Sequence, residues 1–360
     1  MKLPRPRKII AEKYVAGLSL FKSIRSPIKL SANESALGPS PKAVKSYNSI
    51  GKGFVRYPDS DGTFFRKVLG KKFRLDRNRI ILGSGSDQIF ELVCKLFLNK
   101  GDEVVVTQYS FIIYRIYSRM CGATVKFAKE ENFKPSVQSI LDCVNRKTKI
   151  VFLANPNNPT GTYLNRNEML ELRKRLRSDI LLVVDDAYCE FIEDPNFVSG
   201  MELFSKSKNV LITRTFSKIY GLAGLRIGWG YSSKAIIQKL YEIKPPFNVS
   251  RPALFAATQA VQDISWLNKA IKHNNYWSEK IFDVIDKIGI ATNKTNVNFF
   301  LLNFDFVNKS SSQVFNKLAN SGILVRQMDV YNIKNSLRVT IGNNYENKKF
   351  ITTLRKIFNV

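Results

Sequence analysis

The chain has 360 residues, and its 57 Lys and Arg against 29 Asp and Glu give a formal net charge of +28. Hydrophobic residues make up 44% of the chain, which is enough for a sizeable core and excludes a wholly disordered protein. No apolar run reaches the ~18 residues of a membrane-spanning helix, and no apolar signal core follows the basic residues 1–7. We therefore expect a cytoplasmic protein with no membrane partner.

Residue types limit the possible chemistry further. The single histidine, His273, lies in a run that predicts a solvated helix, so a Ser-His-Asp triad or a multi-histidine metal site would depend on it alone. The four cysteines are widely spaced without a CxxC motif, and we expect free thiols and no metal site. Basic residues are spread along the chain, mostly at helical spacing, which favours recruitment of small anions over nucleic-acid binding.

Strands and helices alternate through the middle of the chain. The apolar runs predict strands at residues 79–82, 103–107, 124–127, 149–154, 180–184 and 209–213. Apolar residues at helical spacing predict helices at residues 88–98, 112–120 and 167–177. Such alternation indicates an α/β fold with a mostly parallel sheet, flanked by helices, that binds its ligand outside the carboxyl ends of the strands.

From about residue 250 the pattern changes to that of a smaller α+β domain. A helical region runs to about residue 288. It is followed by predicted strands at 298–302, 323–326 and 336–341 and by helices at 312–320 and from 347. We predict three units: an N-terminal segment at 1–45 that packs with the small domain, a large domain at 46–250 and a small domain at 251–360.

Four segments place polar groups where that sheet would bind a ligand. The run Gly83 to Asp87 opens a predicted helix, whose free N–H groups can bind an anion, although glycine turns before helices are common. Asp185 ends an apolar strand; it could face a cationic ring nitrogen, or it could be a helix cap or an ion-pair partner. Tyr188 follows three residues later and can donate a hydrogen bond.

The other two segments bring a lysine and an arginine. Lys218 lies in a hydroxyl-rich turn directly after a strand, and lysine becomes a nucleophile and base when burial lowers its pKa. Arg226 lies among small residues that allow its guanidinium to approach a phosphate. Together the four segments fit an aldehyde cofactor joined to Lys218, with Asp185 opposite its ring nitrogen, which is pyridoxal phosphate.

These motifs resemble those of fold-type-I pyridoxal-phosphate aminotransferases and, within them, the histidinol-phosphate aminotransferase family. The resemblance spans nearly the whole chain in the family's order. The similar stretches are residues 29–34, 37–41, 56–62, 83–87, 155–161, 183–188, 214–228, 244–250 and 337–342. The chain departs from the family's usual pattern at Phe111, where a tyrosine is common, and at Ser35, where a proline commonly follows Asn-Glu.

The resemblance implies roles for individual residues. Lys218 would form the Schiff base, Asp185 would face the pyridine nitrogen, and Tyr188 and Asn158 would bond the ring hydroxyl oxygen. The residues expected around the cofactor phosphate are Ser86, Asp87, Thr215, Ser217 and Arg226, together with Tyr57 from the partner of a homodimer.

Further residues are expected at the ring face and around the substrate. Phe111 would stack on the cofactor ring. Arg338 and Arg326 would clamp the anionic group of the substrate, and Asn33 and Tyr14 would lie near it.

The expected activity is a transfer of the amino group from glutamate to a phosphate monoester, imidazole-acetol phosphate. Two alternatives keep the cofactor: an aromatic amino acid aminotransferase and a decarboxylase of a phosphorylated amino acid. A more distant alternative is a basic binding protein without catalytic activity, which the joint presence of Lys218, Asp185, Tyr188, Asn158 and Arg226 disfavours.

Overall fold

Seven strands form the central sheet of the computed structural model, which describes residues 9, 11–15, 17 and 26–360. The strands are β1 (Ile80–Gly83), β2 (Glu103–Thr107), β3 (Thr124–Ala128), β4 (Thr148–Ala154), β5 (Leu181–Asp185), β6 (Val210–Thr215) and β7 (Gly228–Tyr231). Their spatial order is β1-β7-β6-β5-β4-β2-β3. Only β7 runs antiparallel to its neighbours in this sheet.

This sheet confirms the mostly parallel arrangement expected from the sequence. The six predicted strands agree with β1 to β6 to within two residues at each end, and β7 was missed. Strand β7 has the sequence Gly-Trp-Gly-Tyr, and its two glycines weaken a strand signal that is only four residues long. The inner strands are buried along their whole length, as parallel strands covered on both faces must be.

Helices cover both faces of the sheet. The helices up to the end of the predicted large domain are α1 (Pro41–Asn48), α2 (Thr63–Phe73), α3 (Ser86–Phe97), α4 (Ile112–Met120), α5 (Val137–Asp142), α6 (Arg166–Arg175), α7 (Gly200–Phe204) and α8 (Lys234–Ile243). Helices α3, α4 and α8 share one core with one face of the sheet, and α2, α6 and α7 share another core with the opposite face. The three helices predicted in this region are confirmed.

The C-terminal part is an antiparallel sheet with helices. Its strands are β8 (Ala291–Thr292), β9 (Phe299–Asn303), β10 (Arg326–Gln327) and β11 (Ser336–Thr340), in the order β8-β9-β11-β10. The remaining helices are α9 (Arg251–Ala260), α10 (Ile264–Ile288), α11 (Ser311–Asn320) and α12 (Asn344–Phe358). The predicted helices and the strands at 298–302 and 336–341 are present, and the last helix begins three residues earlier than expected. The single strand predicted at 323–326 was wrong, because Ile323–Leu324 and Arg326–Gln327 pair in two different sheets.

The N-terminal segment and α9 join the two parts. Ile28–Lys29 pairs in parallel with Ile323–Leu324, so this part of the segment lies against the small domain. Helix α9 packs against α1, and its alanines Ala253, Ala256 and Ala257 are buried in the core of the large sheet. The division at residues 45 and 250 stays a prediction. The basic run at 1–7 lies outside the described residues.

The remaining sequence-based expectations concern His273, the cysteines and the membrane. The prediction of a solvated helix around His273 was wrong at His273 itself, which is half-buried on α10 with its Nε2 atom 2.9 Å from the carbonyl oxygen of Gly342. All four cysteines are free, as expected. Among the described residues, no helix is long and apolar enough to cross a membrane.

The loop after β6 contains two glycines that differ in their surroundings. Gly221 has φ +70°, and a Cβ atom there would lie 2.3 Å from the backbone carbon of Gly38. A Cβ atom on Gly224 would meet nothing within 4 Å. We predict that Gly221→Ala lowers the unfolding free energy by about 1–3 kcal/mol or more, because it adds left-handed strain and a backbone clash. Thermal unfolding beside Gly224→Ala measures this, and equal melting temperatures for the two variants would contradict it.

Candidate active site

A cavity of about 480 Å³ opens at the carboxyl ends of β4, β5 and β6, beneath the small domain. Its walls come from three parts of the chain: the loops after the large-sheet strands, the N-terminal segment and the β10–β11 pair. The structure brings together there all but one of the residues singled out from the sequence, namely Tyr14, Asn33, Ser86, Asp87, Phe111, Asn158, Asp185, Tyr188, Thr215, Ser217, Lys218, Arg226, Arg326 and Arg338. Their individual roles stay predictions.

Asp185 is the last residue of β5 and is almost fully buried. Thr213, its register partner on β6, donates a hydrogen bond to Oδ1 at 3.2 Å, and the hydroxyl of Tyr114 donates to Oδ2 at 2.6 Å. Burial raises the pKa of Asp185 to about 6, although these two bonds and the charge of Lys218 act in the opposite direction. A cation placed against this carboxylate would therefore be bound strongly and would keep it ionised.

Tyr114 is a functional candidate that the sequence reasoning missed. Its ring is fully buried on α4, stacks on Phe152 with centroids 4.9 Å apart and meets Phe90 and Phe111 edge to face. Because the ring is fixed on all these sides, its hydroxyl has a defined direction toward Asp185. A signal for it existed: Tyr114 is three residues after Phe111, and residues at that spacing share a helix face.

Lys218 follows β6, and its amine points into the cavity. The Nζ atom donates a hydrogen bond to the carbonyl oxygen of Ala32 at 3.3 Å and lies 5.6 Å from the ring centroid of Tyr188. Burial, reinforced by the positive charge of Arg338, lowers the pKa of Lys218 to about 8. At pH 7 roughly a tenth of such amines are neutral, far more than for an exposed lysine. The amine is thus prepared to act as a nucleophile and a base.

Hydroxyls, backbone N–H groups and one guanidinium form an anion cradle beside Lys218. Ser86 begins α3, whose first N–H groups face this end of the cavity. Arg226 donates to the Ser217 hydroxyl at 3.2 Å and to the Asp87 carboxylate at 2.8 Å. The cradle depends on a glycine, because a Cβ atom on Gly85 would lie 2.3 Å from the Arg226 guanidinium.

Two arginines of the small domain point at the same cavity. Arg326 on β10 and Arg338 on β11 are register partners, so their side chains lie on one face of the sheet. Arg338 is buried; it donates to the Asn158 side chain and, at 3.0 Å, to the Ser31 carbonyl, while its Nε has no partner. A buried guanidinium with an unused N–H is a ready site for an anion.

Asn33 and Tyr188 connect the N-terminal segment to the large domain. The Asn33 side chain donates to the Tyr188 hydroxyl at 3.0 Å, and its backbone N–H donates to the Thr340 hydroxyl at 2.9 Å. Burial raises the pKa of Tyr188 to about 12, so its hydroxyl remains a proton donor at neutral pH. Tyr14 lines the cavity and is 48% exposed at its mouth.

Tyr57 is the one predicted residue that is not brought to the cavity of its own chain. Its ring is 80% exposed and stacks on Phe247 with centroids 4.5 Å apart. This position is compatible with a contact to a second subunit, which is the role expected for it.

Lys218, Asp185 and the anion cradle fit a pyridoxal-phosphate enzyme, and comparison with protein families shows that the chain belongs to the aminotransferases of class I and II. The model of aminotransferase class I and II matches residues 25–354. This confirms both the expected fold class and the expectation of an aminotransferase.

Within that class, the chain belongs to the histidinol-phosphate aminotransferase family. It is 49% identical over 360 residues to the histidinol-phosphate aminotransferase of Pelagibacter ubique, covering 100% of both chains. It is 38% identical to the corresponding protein of Maricaulis maris, covering 98% of this chain and 97% of that one. The crystal structure of histidinol-phosphate aminotransferase from Sinorhizobium meliloti with pyridoxal-5'-phosphate superposes with a TM-score of 0.86 at 24% identity, over 93% and 92% of the two chains.

The cavity has the donors that pyridoxal 5'-phosphate needs, and this expected cofactor is confirmed. The group combines an aldehyde, a ring nitrogen that can be cationic and a phosphate. Lys218, Asp185 and the cradle around Arg226 offer one partner for each. A Cβ atom on Gly85 would clash with the Asp87 carboxylate and the Arg226 guanidinium, so the glycine allows both side chains to lie at the start of α3, where the helix N–H groups can bind a phosphate.

Lys218→Ala should remove the visible absorbance band of lysine-bound pyridoxal phosphate, because no other amine would take its place. The matched control is Lys29→Met, which changes a second lysine that lines the same cavity. Absorbance spectra of the purified, cofactor-loaded proteins test this. If the band persists in Lys218→Ala, or disappears in Lys29→Met, Lys218 is not the lysine that binds the cofactor.

Proposed function

We propose that this chain transfers the amino group between L-histidinol phosphate and 2-oxoglutarate, giving imidazole-acetol phosphate and L-glutamate, a reaction of histidine biosynthesis. The observation that carries the proposal is the pair of register-matched arginines, Arg326 and Arg338, that faces the same cavity as Lys218. The names of the relatives, up to 49% identical over their full length, support the same substrates.

Lys218 and Asp185 have different roles in the proposed reaction. The chemistry that bound pyridoxal phosphate supplies is electron withdrawal, which makes the proton on the substrate Cα acidic. Lys218 acts as the base that takes this proton, since its pKa of about 8 lies close to the working pH, and it would then deliver the proton to the former aldehyde carbon of the cofactor rather than back to Cα. Asp185 keeps its charge opposite the ring nitrogen, held in place by Tyr114 and Thr213.

Hydrogen-bond donors around the ring hydroxyl complete the cofactor site. Tyr188 would donate to the ring oxygen, and Asn33 fixes the position of the Tyr188 hydroxyl from the other side. Asn158 would be the second donor, while its side-chain oxygen accepts from Arg338. Phe111, the residue directly before α4, would cover one face of the ring.

One cavity must accept two different anions in the two half-reactions. A guanidinium fork pairs with a carboxylate or a phosphate equally well, so Arg338 and Arg326 can bind the distal carboxylate of glutamate and the phosphate monoester in turn. The unused Nε of Arg338 provides a donor for either group.

The deciding experiment is a substrate panel on the cofactor-loaded protein. We expect glutamate-dependent conversion of imidazole-acetol phosphate at least tenfold more efficient, in kcat/KM, than that of phenylpyruvate, because a phosphate has enough oxygens to pair with both arginines, whereas the single carboxylate of phenylpyruvate is filled by one guanidinium fork. Arg338→Lys should reduce this preference for imidazole-acetol phosphate, since a lysine cannot form a bidentate pair with the phosphate. A preference for phenylpyruvate would favour an aromatic amino acid aminotransferase, and release of carbon dioxide from a phosphorylated amino acid would favour a decarboxylase.

We further propose a homodimer in the cytoplasm. Large apolar side chains are exposed around Tyr57, at Phe54 (73%), Val55 (78%) and Phe64 (68%), and a single chain would leave this surface in water. A second copy that covers it would carry Tyr57 to the partner's cofactor phosphate. The free cysteines suit a reducing compartment.

Phe64→Glu should therefore produce monomers, because a charge on this surface opposes its burial. Phe306→Glu is the matched control, since Phe306 is 81% exposed on the small domain. Sedimentation velocity measures the outcome, together with the fraction of cofactor retained after gel filtration, which should fall only for Phe64→Glu. A dimer that survives Phe64→Glu, or is lost in Phe306→Glu, would place the interface elsewhere.

A further inference from the structure

A short part of the N-terminal segment lies across the mouth of the cavity. Tyr14 and Gly17 line the cavity itself, while the Glu12 side chain is turned away from it toward α4. Glu12, two residues before Tyr14, and Val15, directly after it, are each bonded to a different part of the fold. These two attachments determine where the Tyr14 ring can lie.

The first attachment is an ion-pair network at Glu12. Its carboxylate pairs with Arg115 at 2.7 Å through one oxygen and with Arg119 through the other. The two arginines are four residues apart on α4 and so share one helix face. Arg115 also donates to the Val330 carbonyl at 2.8 Å, next to Tyr331, which lines the cavity.

The second attachment is on the small domain. Arg326 donates a hydrogen bond to the carbonyl oxygen of Val15, the residue after Tyr14. Arg326 is one of the two arginines proposed to bind the substrate anion, and a guanidinium has further N–H groups free for that purpose. The segment around Tyr14 is therefore fixed to the large domain through Glu12 and to the small domain through Val15.

An exposed ion pair usually contributes little to the free energy of unfolding. The Glu12 network differs from such a pair in two respects. Arg115 has a side chain only 10% exposed, and its Nε already has no partner. Removing the carboxylate would also leave two positive charges on neighbouring turns of α4 without the anion between them. The segment would then lose its only described attachment to α4.

We propose that Glu12 is a positioning residue that, through Arg115 and Arg119, holds Tyr14 at the mouth of the cavity and so strengthens binding of the phosphate-bearing substrate. The identity of that substrate rests on the proposed function, whereas the position of the segment does not. The Glu12 network acts on binding and leaves the chemistry at Lys218 unchanged.

The test uses the cofactor-loaded Glu12→Gln and Arg119→Gln variants, with Glu171→Gln as the matched control. Glu171 pairs with Arg175 at 2.7 Å on α6 and is exposed. We expect KM for L-histidinol phosphate to rise about three- to tenfold in the first two variants, with kcat within about twofold and the visible cofactor band unchanged. The double variant should be no worse than Glu12→Gln alone, because Glu12→Gln already removes the pair with Arg119.

A second readout does not depend on turnover. Lys13 lies between Glu12 and Tyr14, so trypsin cleavage after Lys13, followed by mass spectrometry, reports how firmly the segment is held. We expect cleavage at least threefold faster in Glu12→Gln and Arg119→Gln than in the wild type or Glu171→Gln, in the absence of substrate.

Three results would overturn the inference: unchanged cleavage at Lys13, an unchanged KM with accelerated cleavage, or a loss of the cofactor band in Glu12→Gln. These differ from failure of the proposed function. If the wild type does not convert L-histidinol phosphate, the proposed function fails, and the cleavage rate at Lys13 still decides whether Glu12 holds the segment.

Discussion

The arrangement of this protein depends on a carboxylate buried at the end of a parallel strand. Asp185 ends β5, where burial alone would make its charge costly. Hydrogen bonds from two hydroxyls, those of Thr213 on the next strand and Tyr114 on α4, offset part of that desolvation cost and fix the direction of the carboxylate. The result is an oriented carboxylate whose charge a nearby cation would stabilise further. A pyridinium nitrogen is such a cation.

The positive charges around the cavity have a matching effect on the lysine. Burial and the charges of Arg338 and Arg226 lower the pKa of Lys218, while Asp185 opposes the shift. Arg338, which we propose binds the anionic group of the substrate, thus also favours the neutral amine. Binding an anion would offset that positive charge and make proton uptake by Lys218 easier. Substrate binding and base strength are therefore coupled through charge, without any movement of the fold.

The sequence predicted the large sheet well, because its buried strands are continuous aliphatic runs and its helices have regular apolar spacing. The sequence-based predictions failed where an element was short or where a contact joined residues far apart in the chain. Strand β7 is four residues with two glycines, and Tyr114 acts through a hydrogen bond to a residue 71 positions away. The family resemblance supplied Arg326 and Arg338, but their register as partners on β10 and β11 depends on a sheet that only the folded chain shows. The Glu12 network could not be predicted for the same reason, since Glu12 and Arg119 are 107 residues apart in the chain.

The cavity belongs to neither domain alone. Arg338 crosses from the small domain to Asn158 of the large one, and Asn33 bonds both Tyr188 of the large domain and Thr340 of the small one. Asn33 has φ 54°, a left-handed conformation that asparagine tolerates better than most residues. Its side-chain N–H donates to Tyr188, while its backbone N–H and its side-chain oxygen both bond the Thr340 hydroxyl. Arg338 and Asn33 therefore both connect the large sheet to the C-terminal sheet. Separating the two sheets would break the hydrogen bonds of both residues. Arg338 and Thr340 are two residues apart on β11, so the strand that carries a proposed substrate arginine also carries the hydroxyl that holds Asn33 against Tyr188. Recognition of the substrate and alignment of the cofactor site would therefore depend on the position of one strand.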